Sequence, residues 1–120
     1  MKIYIIVSIL ITFIYCGDYL KSYDYDVKNE KAANSIYDES IKLESNGKIL
    51  ESKDLLIKVI REFHRTTVSA KAAFHIAEFE RGIGNDDESV NYYEYIIDQH
   101  RTLDYYDKSL LNLSKIYFKQ

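Results

Sequence analysis

NGKILESKDLLIKVIREFHRT, residues 46–66, decides the fold once it is laid over IGNDDESVNYYEYIIDQHRT, residues 83–102. Gly47 and Gly84 are 37 residues apart. At that shift Glu51 falls on Glu88, Ser52 on Ser89, Leu55-Leu56 on Tyr92-Tyr93, and Val59-Ile60 on Ile96-Ile97. A shift of 36 superposes His64-Arg65-Thr66 on His100-Arg101-Thr102, as the loss of one residue at the end of the second copy would produce. Self-similarity at a fixed period of this size marks a stacked supersecondary unit.

Each copy reads as two helices around a turn. Ser52, Leu55, Leu56, Val59, Ile60 and Phe63 follow the spacing i, i+3, i+4, i+7, i+8, i+11, which is one face of a helix. Ser89, Tyr92, Tyr93, Ile96, Ile97 and His100 repeat it. Asn46-Gly47 and Gly82-Ile83-Gly84-Asn85 are the turn signals. A shorter helix precedes each turn, with stripes Ala33, Ile36, Ser40, Leu43 and Ala70, Ala73, Ile76, Ala77. A fifth helix, about Asp104 to Lys119, carries Leu110, Leu113, Ser114 and Tyr117. Asp87 and Asp104 are the expected N-caps. Proline is absent and there are only four glycines, so little interrupts a run of helices.

These units resemble tetratricopeptide repeats, helix–turn–helix modules of about 34 residues. Ser40, Ala77 and Ser114 stand where that family has a small residue late in the first helix. Ser52 and Ser89 stand at its small position early in the second helix, and Leu56 and Tyr93 at the large position four residues on. Gly47 and Gly84 open the turns, and Tyr117 matches an aromatic position of the first helix. The chain departs from the pattern in four places. His64 and Arg101 replace the usual closing proline, and Glu39 and Glu80 stand at usually apolar positions. The resemblance implies an all-α fold of antiparallel helix–turn–helix repeats over residues 30–120, about two and a half units of a short right-handed solenoid.

The first fifteen residues read differently. MKIYIIVSILITFIYCGD begins with Lys2 and continues as thirteen uncharged residues, Ile3 to Tyr15. As a helix that run spans about 20 Å, short of the ~30 Å of a bilayer core, and it has the length of a signal-peptide core. Cys16, the only cysteine, follows directly. Its place resembles the acylated cysteine of bacterial lipoprotein signals, although Tyr15 is bulkier than the small residue usual there. That resemblance implies a signal peptide over 1–15, a lipidated Cys16 opening a tether over 16–29, export, and a lipid anchor in a bacterial envelope membrane facing the periplasm. Two other outcomes remain open, an uncleaved signal anchor and a cut elsewhere that removes Cys16. Gly17 to Val27, with its alternating Tyr and Asp, reads as a flexible or short extended spacer.

Composition excludes several functions. The formal net charge is −3, and the apolar leader carries one basic residue and no acidic one, so the rest is more acidic still. Without a basic stripe there is no nucleic-acid footprint. No HxxxH, CxxC or glycine-rich phosphate loop occurs, and Asn85-Asp86-Asp87-Glu88 lacks the alternating ligands of a calcium loop. His64 and His100 are expected beside helix C-termini, where a cation is favoured. No catalytic, cofactor or metal residue is singled out, and the chain reads as a non-enzyme without cofactor.

The expected working surface is a groove. In tetratricopeptide arrays the first helices line the concave face. Carrying those positions over selects Asn34, Tyr37, Asp38 and Ile41, then Lys71, Phe74, His75 and Glu78, then Lys108, Leu111, Asn112 and Lys115. The mixture of aromatic, apolar and charged groups suits an extended peptide or a helix. The family's clamp for a C-terminal carboxylate is not reproduced, because Tyr37 and Ile41 stand where Lys and Asn would be needed. The last helix is apolar over a broad arc, Leu110, Leu111, Leu113, Ile116, Tyr117 and Phe118, and a terminal repeat helix normally has a polar outer face. It is therefore an expected contact for a second copy or partner. The chain reads as a protein–protein interaction adaptor; the alternatives are a self-associating structural bundle and a binder of envelope polymer.

Overall fold

A computed structural model describes residues 2–101 and 104–119, with side chains for all of these except 13, 15, 16 and 18–25. Among the described residues the chain is all-helical: α1 (Lys2–Ser45), α2 (Ile49–Glu62), α3 (Thr67–Gly82), α4 (Asp86–Gln99) and α5 (Asp104–Lys119). Consecutive helices run in opposite senses, and short turns join α1 to α2, α2 to α3 and α3 to α4. The turns at Gly47 and Gly84 adopt φ of 78° and 84°, the left-handed region that glycine enters without steric cost. Orphan helix-end carbonyls are closed there in the same way, by Gly47 N–H to Glu44 O at 2.9 Å and Gly84 N–H to Arg81 O at 3.1 Å.

α3 is the central helix. It packs against α1, α2, α4 and α5, whereas the α2 and α4 backbones stay apart and meet only through long side chains, as in the Lys53–Glu88 ion pair at 3.9 Å. Two apolar clusters result. Ala33, Tyr37, Leu56, Val59, Val68, Ala72 and Ile76 fill the space between α1, α2 and α3. Ala77, Tyr93 and Ile116 join α3, α4 and α5. The small residues lie where helices cross: Ser40, Ala77, Ser52 and Ser89 are all buried, and Ser89 Oγ donates to Ala77 O at 2.8 Å. A small side chain there lets two backbones approach, and the large residue four positions on fills the next space.

Four local expectations need correcting. The helix before each turn is not the shorter one: α3 has 16 residues against 14 in α2 and α4. The extra length comes from Thr66, whose hydroxyl accepts from Ser69 N–H at 3.2 Å and caps α3. Thr102, its copy, lies outside the described residues. Asp87 is not the N-cap of α4, because that position is Asn85 and its amide turns to Glu80 at 2.8 Å. Asp87 and Asp104 instead stand in first helical turns, where a negative charge meets the positive end of the dipole.

The fourth correction concerns Gly17 to Val27. This stretch runs inside α1 and is neither extended nor a break. Extending a helix from turns already packed against α2 and α3 costs little once nucleation is done, and nothing between Gly17 and Val27 stops it. The packed body begins near Glu30, whose carboxylate accepts from Thr67 N–H at 3.0 Å and from the Thr67 hydroxyl. The apolar residues Ile3 to Ile14 whose side chains are described stand exposed, clear of the body. No helix is long and apolar enough, among the described residues, to cross a membrane.

Candidate functional site

The face formed by α1, α3 and α5 carries a cleft of about 430 Å³, lined by Tyr37, Glu44, Lys71, Phe74, His75, Glu78, Phe79 and Tyr105. Helical spacing explains the lining. Tyr37 and Glu44 are two turns apart on α1, and Lys71, Phe74, His75 and Glu78 are successive neighbours on one face of α3.

Polar bonds fix the centre of the cleft. Tyr37 is 8 % exposed, and burial pushes its phenol up to about 12, with further upward pressure from Tyr105, Glu44 and Asp38. The phenol therefore stays protonated near neutrality. Its hydroxyl lies 3.3 Å from His75 Nδ1, and His75 Nε2 lies 2.7 Å from Glu44 Oε2. With Tyr37 donating to Nδ1, the remaining ring proton sits on Nε2 and points to Glu44. Lys71 Nζ stands 4.1 Å from the Tyr37 ring centroid, a cation–π contact. Phe74 stacks at 5.2 Å on Tyr105 and edge-on at 6.0 Å to Tyr93. The Tyr–His–Glu chain orients its rings.

Of the twelve groove residues expected, five converge on this cleft: Tyr37, Lys71, Phe74, His75 and Glu78. The others go elsewhere. Asn34 is exposed and its amide donates to Glu30 O at 3.0 Å, a bond within its own helix. Asp38 lines a separate hollow on the outer edge of α1 with Glu39, Lys42, Leu43 and Asn46. Ile41 packs against the α1–α2–α3 core. Lys108 sits 5.5 Å from the Tyr105 ring, and Leu111 and Lys115 are exposed on α5. Asn112 is buried, donating to Glu78 Oε1 at 2.7 Å and to the Tyr93 hydroxyl at 3.2 Å. Asn112 thus supports the cleft wall from behind, through Glu78, and does not line it. Three lining residues were missed: Glu44, Phe79 and Tyr105. Each is a helical neighbour of a chosen residue, at i+7 from Tyr37, i+4 from His75 and i−3 from Lys108.

Glu78 is the hub at the cleft's far wall. Burial raises its pKa, but bonds from Tyr93 and Arg81 outweigh burial and hold the carboxyl below its usual range. Arg81 reaches it at 2.8 Å, and the Tyr93 hydroxyl also donates to it. Tyr93 is itself pushed up to about 12, by burial first and then by Glu78. On the opposite side of α3, Glu80 explains one departure from the repeat pattern. It is 3 % exposed and meets Lys53 at 2.7 Å and Asn85 at 2.8 Å, and the Lys53 bond holds its carboxyl down.

His100 stands at the C-terminal end of α4, as expected, but its surroundings work against a charge on the ring. Its backbone N–H closes α4 onto Ile96 O at 2.9 Å, but its ring is buried against Tyr95 at 3.4 Å. Burial, and then the nearby His64, push its pKa down. Cys16 lies within α1, and its side chain is outside those described. Among the described residues no group of three His, Cys, Asp or Glu is placed to hold a metal ion. Comparison of the chain with family models, curated proteins and solved structures returned no match.

Proposed function

We propose that the chain is a non-enzymatic adaptor of the bacterial envelope, tethered through its N-terminus, that grips a segment of another protein on the α1–α3–α5 face. The observation that carries this reading is the cleft holding Tyr37, Lys71, Phe74, His75 and Glu78 together with Tyr105. A pre-oriented aromatic floor bordered by an ammonium group and a few fixed polar groups is the usual make-up of a recognition cleft. The rings are already ordered by internal bonds, so a ligand loses little conformational entropy in ordering them.

In this reading the helices form about two and a half tetratricopeptide-like units of a right-handed solenoid. The backbone contacts of α3 with α1 and with α5, against the wider backbone separation of α2 from α4, support it, because helices on the inner side of a curve lie closer together. The exposed apolar run before Cys16 supports export and acylation. A lipid on Cys16 would stand about 20 Å of helix away from Glu30, where the body begins.

The test is capture of the tagged full chain from crosslinked cells, with Cys16 read by mass spectrometry in the same sample. One specific envelope protein is expected with the wild type, at least tenfold reduced with Lys71→Glu, and Cys16 is expected to carry acyl chains. Equal recovery with Lys71→Glu would remove the cleft from the account, and an unmodified Cys16 would remove the lipid anchor.

A further inference from the structure

α5 buries one side only. Ser109, Asn112 and Ile116 face α3 and α4, and Tyr105, Tyr106, Leu113 and Ser114 are half-buried. Leu110, Leu111, Tyr117 and Phe118 remain 42, 56, 53 and 93 % exposed. At the repeat shift, Asp107, Leu110 and Ser114 correspond to Ala70, Ala73 and Ala77 of α3, each completely buried. α5 thus turns to solvent the side that α3 uses for packing. Four large apolar groups on one short helix form a patch that a soluble surface rarely leaves bare.

The charges indicate what covers it. Asp104 and Asp107 lie in the first half of α5 and Lys115 and Lys119 in the second, all exposed. None of the four forms an ion pair among the described residues. Lys108, the one charge against this segregation, lies over the Tyr105 ring. A helix that is acidic at its start and basic at its end is complementary to itself reversed. With a two-fold axis at Leu111, Asp107 of each copy falls beside Lys115 of the other, and Asp104 falls beside Phe118 and Lys119. Leu111 meets Leu111 across the axis, as an isologous contact requires.

A membrane is the poorer occupant. Helices alternate in direction, so α5 ends at the same end of the body as the Gly47 and Gly84 turns, opposite the apolar start of α1.

We infer that a second copy of this chain covers α5, antiparallel and related by a two-fold axis at Leu111. The 16-residue helix is about 24 Å long, which puts the contact at the small end of specific interfaces. The dimer is therefore concentration-dependent.

Sedimentation equilibrium of the full chain in density-matched detergent micelles tests this, starting from a 14.1 kDa monomer. A monomer–dimer equilibrium is expected. Lys115→Asp and Asp107→Lys each replace two attractive pairs by like charges and should weaken the dimer roughly tenfold. The two reversals together restore opposite charges and should return the affinity to near wild type. Both residues are exposed, so circular dichroism should show unchanged helix in every variant. A monomer at all concentrations overturns the proposal. So does a dimer indifferent to the single reversals, a double reversal no tighter than the singles, or assembly beyond the dimer.

Discussion

The two halves of the body solve one packing problem with opposite chemistry. In the first, Ile41 and Leu56 belong to an aliphatic cluster between α1, α2 and α3. The same two positions one repeat later are Glu78 and Tyr93. There the Tyr93 hydroxyl donates to the Glu78 carboxylate, and Asn112 and Arg81 close the remaining acceptor sites. An apolar pair fills its space without orientation. A half-exposed carboxylate that accepts bonds from three side chains fixes where those donors sit. Through its bond to Asn112, Glu78 holds the middle of α5.

The largest expected effect breaks the dry half. Leu56→Ala removes a side chain that is 2 % exposed and should cost about 2–5 kcal/mol in urea unfolding. A cost below 1 kcal/mol would mean the aliphatic cluster is loosely packed.

Next comes the buried ion pair beside it. Lys53→Met strands Glu80 and should cost roughly 2–4 kcal/mol, somewhat under the full range for a buried pair because Lys53 keeps 28 % of its side chain in water. The same pair gives acid sensitivity. Glu80 is held below its ordinary pKa, so its contribution is present above the unfolded-state value and is lost as pH falls through the folded value. The melting temperature of wild type should therefore drop on acidification below the usual carboxylate range, and Lys53→Met should flatten that drop.

The comparison between halves is sharpened by importing one into the other. Glu78→Ile alone removes the acceptor of the Tyr93 hydroxyl and the shorter of the two bonds from the Asn112 amide, and should cost about 1–3 kcal/mol. Adding Tyr93→Leu reproduces the first unit's pair and should recover part of that loss. Purely additive costs in the double-mutant cycle would show that the two positions do not act as a pair.

Smaller and equal effects are expected at the turns. Gly47→Ala and Gly84→Ala each force a left-handed alanine at φ 78° and 84°, with no atom within 4 Å of the added carbon. Each should lose about 1 kcal/mol, and clearly unequal losses would break the equivalence of the two turns. The smallest effect belongs to His100, whose pKa is depressed by burial. The unfolded chain takes up its proton first, so stability is full above about pH 6.5 and declines as pH falls through the folded value. His100→Phe should remove that decline from the pH–melting curve.

Much of the fold was legible beforehand because it rests on periodicity. The paired turns, the stripe Ser52–Leu56–Val59 with its copy Ser89–Tyr93–Ile96, and the extent of α5 follow from spacing and from the few glycines. The candidate site was most legible where one helix supplies it: Lys71, Phe74, His75 and Glu78 sit together because helical geometry alone puts them on one face. Of the neighbouring helices only Tyr37 was expected there and is found there; that Glu44 and Tyr105 join it was not legible. It depends on how far each helix slides and rotates against α3.

The sequence by itself determined the helices, their order and the left-handed turns at Gly47 and Gly84, because these are set by contacts a few residues apart. Only the tertiary structure decided that α1 runs unbroken through Gly17, that Asn112 turns inward to Glu78 while Leu111 stays outside, and that Glu44 and Tyr105 complete the cleft. The continuity of α1 follows from turns already packed on α2 and α3; the other outcomes turn on hydrogen bonds and packing between residues far apart in the chain, such as the 34 residues separating Glu78 from Asn112, and no local pattern encodes them.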